Sequence, residues 1–174
     1  IFDIGGNTGK FSIACCDYNK DVKVTICDLA VQLEHAQDYL GQLGYGERVK
    51  RHQMNVLESN LKFPDTADVI MMSQFLDCFS EAEIIHILKE AQGGLNPDGS
   101  IFILETYWDR QKFEISAFCL QQTSLYFTAI ANGNSKMYHS DQMKRCIEAA
   151  GLKVELEVDG LGISHTLFKC KLNS

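Results

Sequence analysis

Two periods of hydrophobicity succeed one another along the chain, and each change of period marks an element. "IFDI" at the start reads as a short buried strand, and "KFSIACCDYN" as a helix. A second strand, "KVTICDL", carries Val24 and Ile26 and closes at Asp28. From Val31 the apolar positions Leu33, Ala36, Leu40 and Leu43 step by 3, 4 and 3, which predicts an amphipathic helix ended by "GYG". A third strand follows at about 48 to 54. "ADVIMMSQF" is continuously apolar over strand length, as a central strand covered on both faces must be. Ser80 and Glu83 form a capping box ahead of a helix that turns Ile84, Leu88 and Ala91 inward. "NPDGS" predicts a turn and "IFILETYW" a fifth strand, while 110–135 reads as an amphipathic helical or loop-like segment. "HSDQMKRCIEAAG" predicts a helix with Ser140 as N-cap, Met143, Ile147 and Ala150 inward, and Gly151 just past its end. The last strands, "LKVELEV" and "ISHTLFKCKL", are joined through Gly160 and Gly162 as an antiparallel hairpin at a sheet edge.

Strands alternating with helices give an α/β chain: a doubly wound, mostly parallel, seven-stranded sheet with an antiparallel C-terminal hairpin. With 174 residues, 45% of them hydrophobic, the expectation is one compact domain with a full core. A net charge of −7 offers no basic stripe for a phosphate backbone, so nucleic acid is not an expected partner and a small molecule is. Seven cysteines without a C-x-x-C pair lie mostly in apolar stretches, as reduced thiols of a cytoplasmic protein do; neither a disulfide framework nor a metal site is expected. The most apolar region, "FEISAFCLQQTSLYFTAIA", is broken by Glu114, Gln121, Gln122 and Thr123 and fails as a membrane span.

In such sheets ligands bind at the carboxyl ends of the strands, so chemistry is sought there. Gly5, Gly6, Asn7 and Gly9 follow the first strand and open a helix, an arrangement that aims unpaired N–H groups at a ligand and lets it approach the backbone. The spacing matches neither G-x-G-x-x-G nor the phosphate loop G-x-x-x-x-G-K-[ST]. Asp28 ends the second strand, where a carboxylate accepts hydrogen bonds from both ribose hydroxyls. Asn55 follows the third, where an amide pairs with an adenine edge. The structural alternatives are a tight turn, a helix cap and a turn residue; one nucleoside would use all three sites together.

"DIGGNTG", "CDL", "QMNVLES", "MMSQFLDCFSEAE" and "YFTAIANGNSK", in this order, resemble the catalytic domain of class I S-adenosylmethionine-dependent methyltransferases, in particular the small-molecule O-methyltransferases of the hydroxyindole and plant phenolic type. The resemblance implies a Rossmann-like fold and S-adenosyl-L-methionine as cofactor. It also implies an upstream winged-helix dimerisation domain that this chain lacks, and a homodimer in the full-length protein. It assigns Asp3, Gly5, Gly6, Asn7 and Gly9 to the methionine end of the cofactor, and Asp28 and Leu29 to ribose and adenine. Asn55 and Val56 would flank the adenine, with Ser73, Gln74 and Phe75 on the far side. Asn7 and Asn55 stand where the family prefers Gly and Asp; Asn tolerates a left-handed backbone and keeps an acceptor for the adenine amino group.

A larger departure lies in "SQFLDCFS", where the family reads Leu-His-Asp/Asn-Trp-Ser with His as general base. Here Asp77 holds the His position and Phe79 the Trp. The expected reaction is in-line displacement at a sulfonium methyl by a substrate oxygen, with Asp77 as proton acceptor and Glu105, at the end of the fifth strand, beside it or orienting the substrate. Tyr107, Trp108, Phe118, Gln122, Tyr126 and Asn132 are the expected substrate wall of a small, aromatic acceptor. His35, His52, His86, His139 and His165 are scattered and receive no catalytic role. Two other readings share these features: a cofactor-binding sensor or scaffold without catalysis, and a nicotinamide-dependent oxidoreductase.

Overall fold

The computed structural model describes residues 1–131 and 133–173. Its strands β1 (Phe2–Ile4), β2 (Val24–Asp28), β3 (Val49–Gln53), β4 (Ala67–Ser73), β5 (Leu95–Glu105), β6 (Leu152–Leu161) and β7 (His165–Leu172) form one seven-stranded sheet in the order β3-β2-β1-β4-β5-β7-β6. β1 runs parallel to β2 and β4, and β2 parallel to β3; β7 is antiparallel to β5 and β6. This is the expected doubly wound sheet with a C-terminal hairpin. Parallel neighbours need long crossovers, and α1 (Lys10–Tyr18), α2 (Ala30–Gln42) and α3 (Glu81–Ala91) fall between them in sequence; α4 (Glu114–Tyr126) and α5 (Ser140–Ala149) follow β5. Strand order reverses between β1 and β4, the topological position at which such sheets bind ligands. By its contacts the chain divides into two compact units: Ile1–Met72 with Glu90–Ser100, and Ser73–Lys89 with the chain from Ile101 on.

In the first unit α1 and α2 pack on β2 and β3 around Cys16, Val24, Ile26, Ala36, Leu40 and Val49. Leu43, expected on the inner face of α2, is instead its half-exposed C-cap residue. β1 is buried throughout, including the carboxylate of Asp3, which is 2% exposed and accepts a hydrogen bond of 2.7 Å from Ser12 Oγ. Burial raises Asp3 from 3.8 to about 6, against the Ser12 bond and helped by the charge of Asp28. The "NPDGS" turn is not observed, because 96–99 lie inside β5. The Asn96 side chain, free to bond its own backbone in a turn, instead donates to Asp68 Oδ1 (2.7 Å) and accepts from Thr66 Oγ1 (2.5 Å). Pro97, which has no N–H to give a ladder, is exposed.

In the second unit Ile101, Ile103, Phe168 and Cys170 are buried along β5 and β7. α5 packs on β6 and buries Met143, Cys146 and Ile147. Ser80 caps α3 as predicted: its N–H and Oγ donate to Glu83 Oε2 at 2.8 and 2.7 Å. The cap of α5 lies one residue earlier than expected. His139 Nδ1 accepts the Asp141 N–H (3.1 Å) and Gln142 Oε1 accepts the His139 N–H (3.2 Å). Ser140 turns to Asp109 instead, giving it an N–H and an O–H at 2.7 and 2.6 Å. Gly151 follows at φ +85°, the left-handed stop the sequence predicts. α4 is where the reading departs most. Its apolar residues surround the helix rather than line one side, and no side chain of Glu114–Tyr126 is buried.

Ser80→Ala removes the cap of α3 and should lower the unfolding free energy by about 1 kcal/mol, read as a shifted urea midpoint with an unchanged slope. For Asp3 the raised folded value means that stability is lost as pH rises from 3.8 towards 6 and stays lost at neutral pH. Asp3→Asn keeps an acceptor for Ser12 and should raise stability at pH 7.5 by up to about 3 kcal/mol. It should leave stability unchanged below pH 3.8, and thermal unfolding across the pH range checks both limbs.

Candidate functional site

The first unit holds the glycine loop. Gly5 N–H donates to Cys27 O (2.9 Å) and Gly9 N–H to Gly6 O (2.9 Å), folding the segment back over the end of β2. Gly5, Asn7 and Gly9 have φ of 68°, 49° and 84°, so Asn7 takes the left-handed conformation expected of it. At Gly6 a Cβ would stand 2.6 Å from Asp3 Oδ2, so only glycine lets the loop lie over that buried carboxylate. Asp28 fixes the loop from below. Its Oδ2 accepts the Asn7 N–H (3.0 Å) and its Oδ1 the Leu29 N–H (2.8 Å). A carboxylate has about four acceptor positions, so one remains on each oxygen, which suits two vicinal hydroxyls.

Asn55 is exposed and its Oδ1 accepts the Leu57 N–H (3.2 Å), an Asx turn that leaves the side-chain amide hydrogens directed outward as donors. Val56 is buried and Leu29 half-exposed. This unit therefore groups one buried acid, one half-buried acid with spare lone pairs, left-handed glycines and an exposed amide at the carboxyl ends of β1, β2 and β3. Such a set fits an ammonium group, a ribose and an adenine edge. Ser12 was not anticipated; its only sequence signal is a hydroxyl one helical turn into an otherwise apolar stretch.

The second unit holds the carboxylates. After β4 the backbone turns left-handed at Gln74 (φ 49°) and enters a single 3₁₀ turn, Leu76–Cys78, which carries Asp77. Glu105, 1% exposed at the end of β5, organises that turn. Its Oε1 accepts the N–H groups of Phe75 (2.9 Å) and Leu76 (2.8 Å), and its Oε2 accepts Gln74 Nε2 (3.1 Å). Burial pushes Glu105 above the usual carboxylate range, the Asp77 charge adds to this, and the backbone N–H bonds oppose it. Asp77 is half-buried and likewise raised by burial, against a hydrogen bond from Cys78 Sγ (3.6 Å). The Cys78 thiol is itself pushed up to about 11, so it donates rather than accepts. Ser73 ends β4 half-buried, and Phe75 meets Phe79 edge-on at 5.1 Å.

The residues expected to form the substrate wall differ in burial, and the turn Trp108–Arg110 packs against α4. Tyr107 is fully buried, stacked on Phe168 at 5.0 Å, and its hydroxyl has no partner among the described residues. Trp108 meets His139 edge-on at 4.8 Å and lines a cavity of about 450 Å³ with Asp141, Gln142 and Arg145. Phe118, Gln122 and Tyr126 are exposed on α4, and Asn132 lies outside the described residues. A cavity of about 410 Å³ that the substrate assignments missed is lined by Ser80, Glu81, Thr128, Lys136 and Tyr138 among others. The Lys136 ammonium there pairs with Glu81 (3.2 Å) and lies 4.5 Å from the Tyr138 ring centre. Among the described residues no cluster of His, Cys, Asp and Glu has the arrangement of a metal site, and no helix is long and apolar enough to cross a membrane.

Known proteins resemble the chain along its whole length. Over 106 residues it is 27% identical to the S-adenosyl-L-methionine-dependent methyl transferase PigF of a Serratia species, covering 61% of this chain and 30% of that protein. The mitomycin 7-O-methyltransferase MmcR superposes with a TM-score of 0.85 at 19% identity, over 99% of this chain and 48% of the other. The structure of PigF with SAH superposes at 0.83 and 20% identity, over 98% of this chain and 49% of that one. The chain thus spans about half the length, or less, of these relatives, and the likeness to the solved structures establishes the fold. Residues 1–153 match the model of a protein family described as the O-methyltransferase domain, and the chain belongs to that family.

Proposed function

We propose that this chain is the catalytic part of an S-adenosyl-L-methionine-dependent O-methyltransferase acting on a small, aromatic hydroxyl compound. The observation that carries the reading is the family membership of residues 1–153 joined to the free lone pairs of Asp28 beside the left-handed loop. The bound cofactor would supply a methyl group on a sulfonium leaving group. In the first unit Asp3 and the Gly5–Gly9 loop would hold its methionine end, Asp28 and Leu29 its ribose, and Asn55 and Val56 its adenine. In the second unit Asp77 would accept the proton of the substrate hydroxyl, and Ser73, Gln74 and Phe75 would border the cofactor. Glu105 would act through Asp77, since both of its oxygens are committed to the turn. The full-length protein is proposed to work as a homodimer in a reducing, cytoplasmic setting, consistent with the absence of disulfides among the described cysteines.

Calorimetry with S-adenosylhomocysteine and, in parallel, NAD tests the reading at its base: heat is expected with the first, and binding of NAD alone would overturn it. Asp28→Ala should weaken S-adenosylhomocysteine binding roughly 10- to 100-fold, the worth of hydrogen bonds to a charged group. Asp77→Asn should leave that affinity unchanged and slow transfer of a labelled methyl group about 100-fold or more. Full turnover in this variant would remove Asp77 from the chemistry and favour alignment alone.

A further inference from the structure

The turn that carries Asp77 also says which proton acceptors the second unit can offer, and this narrows the substrate of the reaction proposed above, on which the inference rests. Glu105 is sealed at 1% exposure with its oxygens taken by Phe75, Leu76 and Gln74. Cys78 donates to Asp77, and Tyr138 donates its phenolic hydrogen to Phe79 O (2.5 Å). Glu83 closes the capping box with Ser80, and Glu81 is paired with Lys136. Lys136 itself reaches the turn only through its backbone, whose N–H donates to Asp77 O (3.0 Å). His139 spends Nδ1 on the cap of α5. Asp77, half-buried on the turn, accepts the Cys78 thiol on Oδ1 (3.6 Å), which leaves Oδ2 as the oxygen proposed to take the proton.

A carboxylate is a weak base for this task. Proton transfer is efficient when the acceptor and donor have comparable acidity. An ordinary phenol, near ~10, lies far above a carboxyl group near ~3.9. The desolvation that raises Asp77 narrows this gap. The imidazole that the family resemblance places at this position would stand much nearer to a phenol.

We infer that the methyl acceptor of this protein is an acidified hydroxyl, one conjugated to a carbonyl or attached to an electron-poor ring, rather than an ordinary phenol or alcohol. In the step, the O–H bond breaks with its proton passing to Asp77 Oδ2, and the oxygen pair forms the new bond to the methyl carbon. The carbon–sulfur bond of the sulfonium breaks with its electron pair going to sulfur, leaving a neutral thioether, and the proton is later released to water. Charge and atoms balance with no further reactant.

Two matched pairs of probes test this at pH 7.5 with labelled cofactor: para-nitrophenol against para-methoxyphenol, and hydroxynaphthoquinone against naphthol. The acidic member of each pair is the poorer nucleophile, so a faster reaction with it reports the proton and not the oxygen. We expect kcat/KM at least about 100-fold higher for the acidic members. Asp77→His should raise turnover of para-methoxyphenol and naphthol at least tenfold, with S-adenosylhomocysteine affinity unchanged. Equal or faster labelling of the ordinary phenols by the unaltered protein overturns the inference while leaving methyl transfer intact. Labelling of none of the four probes, despite cofactor binding, overturns both.

Discussion

Where a parallel strand ends and the chain swings into the next helix, backbone N–H groups lose their ladder partners, and what receives them decides whether the turn has one shape. Two carboxylates do this here, one in each compact unit. Asp28 takes the N–H groups of Asn7 and Leu29 at the end of β2. Glu105 takes those of Phe75 and Leu76 from the end of β5. Each carboxyl group serves two amides at once, and at Asp28 a charged acceptor makes a stronger bond to an amide than a carbonyl does. The loops after these strands inherit their geometry from these contacts. Their difference in exposure separates their functions: Asp28 is half-buried with lone pairs to spare, whereas Glu105 is sealed and has only the turn to hold.

Much of this was legible in the sequence. The 3.6-residue steps of α2 and the inward positions of α3 come from burial on one face, and the continuous apolar run of β4 comes from burial on both. Gly151 and the Ser80–Glu83 box mark helix ends through local chemistry that needs no tertiary knowledge. The failures are tertiary in origin. Asn96 was read as a turn former because its amide ordinarily bonds its own backbone, but Asp68 and Thr66, distant in sequence, compete for it. Ser140 lost the cap to His139 because Asp109 claims the serine. No single-sequence signal announces either competitor.

The candidate site divides in the same way. Glycines with a left-handed backbone, an acid at a strand end and an amide after the third strand stand out in the sequence, but each also has a structural use that the fold employs: Asp28 bonds the N–H groups of Asn7 and Leu29, and Asn55 makes an Asx turn. The part played by Glu105 was not readable, since a carboxylate that binds ligand and one that binds backbone look alike in a sequence. Tyr107 shows the same limit: an aromatic residue after a strand fits a substrate wall and a core equally, and stacking on Phe168 places it in the core.

α4 carries a different kind of consequence. Phe113, Ile115, Phe118, Leu125 and Tyr126 stand more than half exposed on or beside a helix that buries nothing, and Ile130 follows in the π-helical turn Phe127–Ala131. Exposed apolar side chains, where they join into a patch, are where proteins adhere to one another. The negative charge that disfavours association elsewhere is carried on other elements. Handled as these 174 residues, the molecule would be governed in concentrated solution by this helix, and detergent micelles or hydrophobic dyes would find it before they found the sheet.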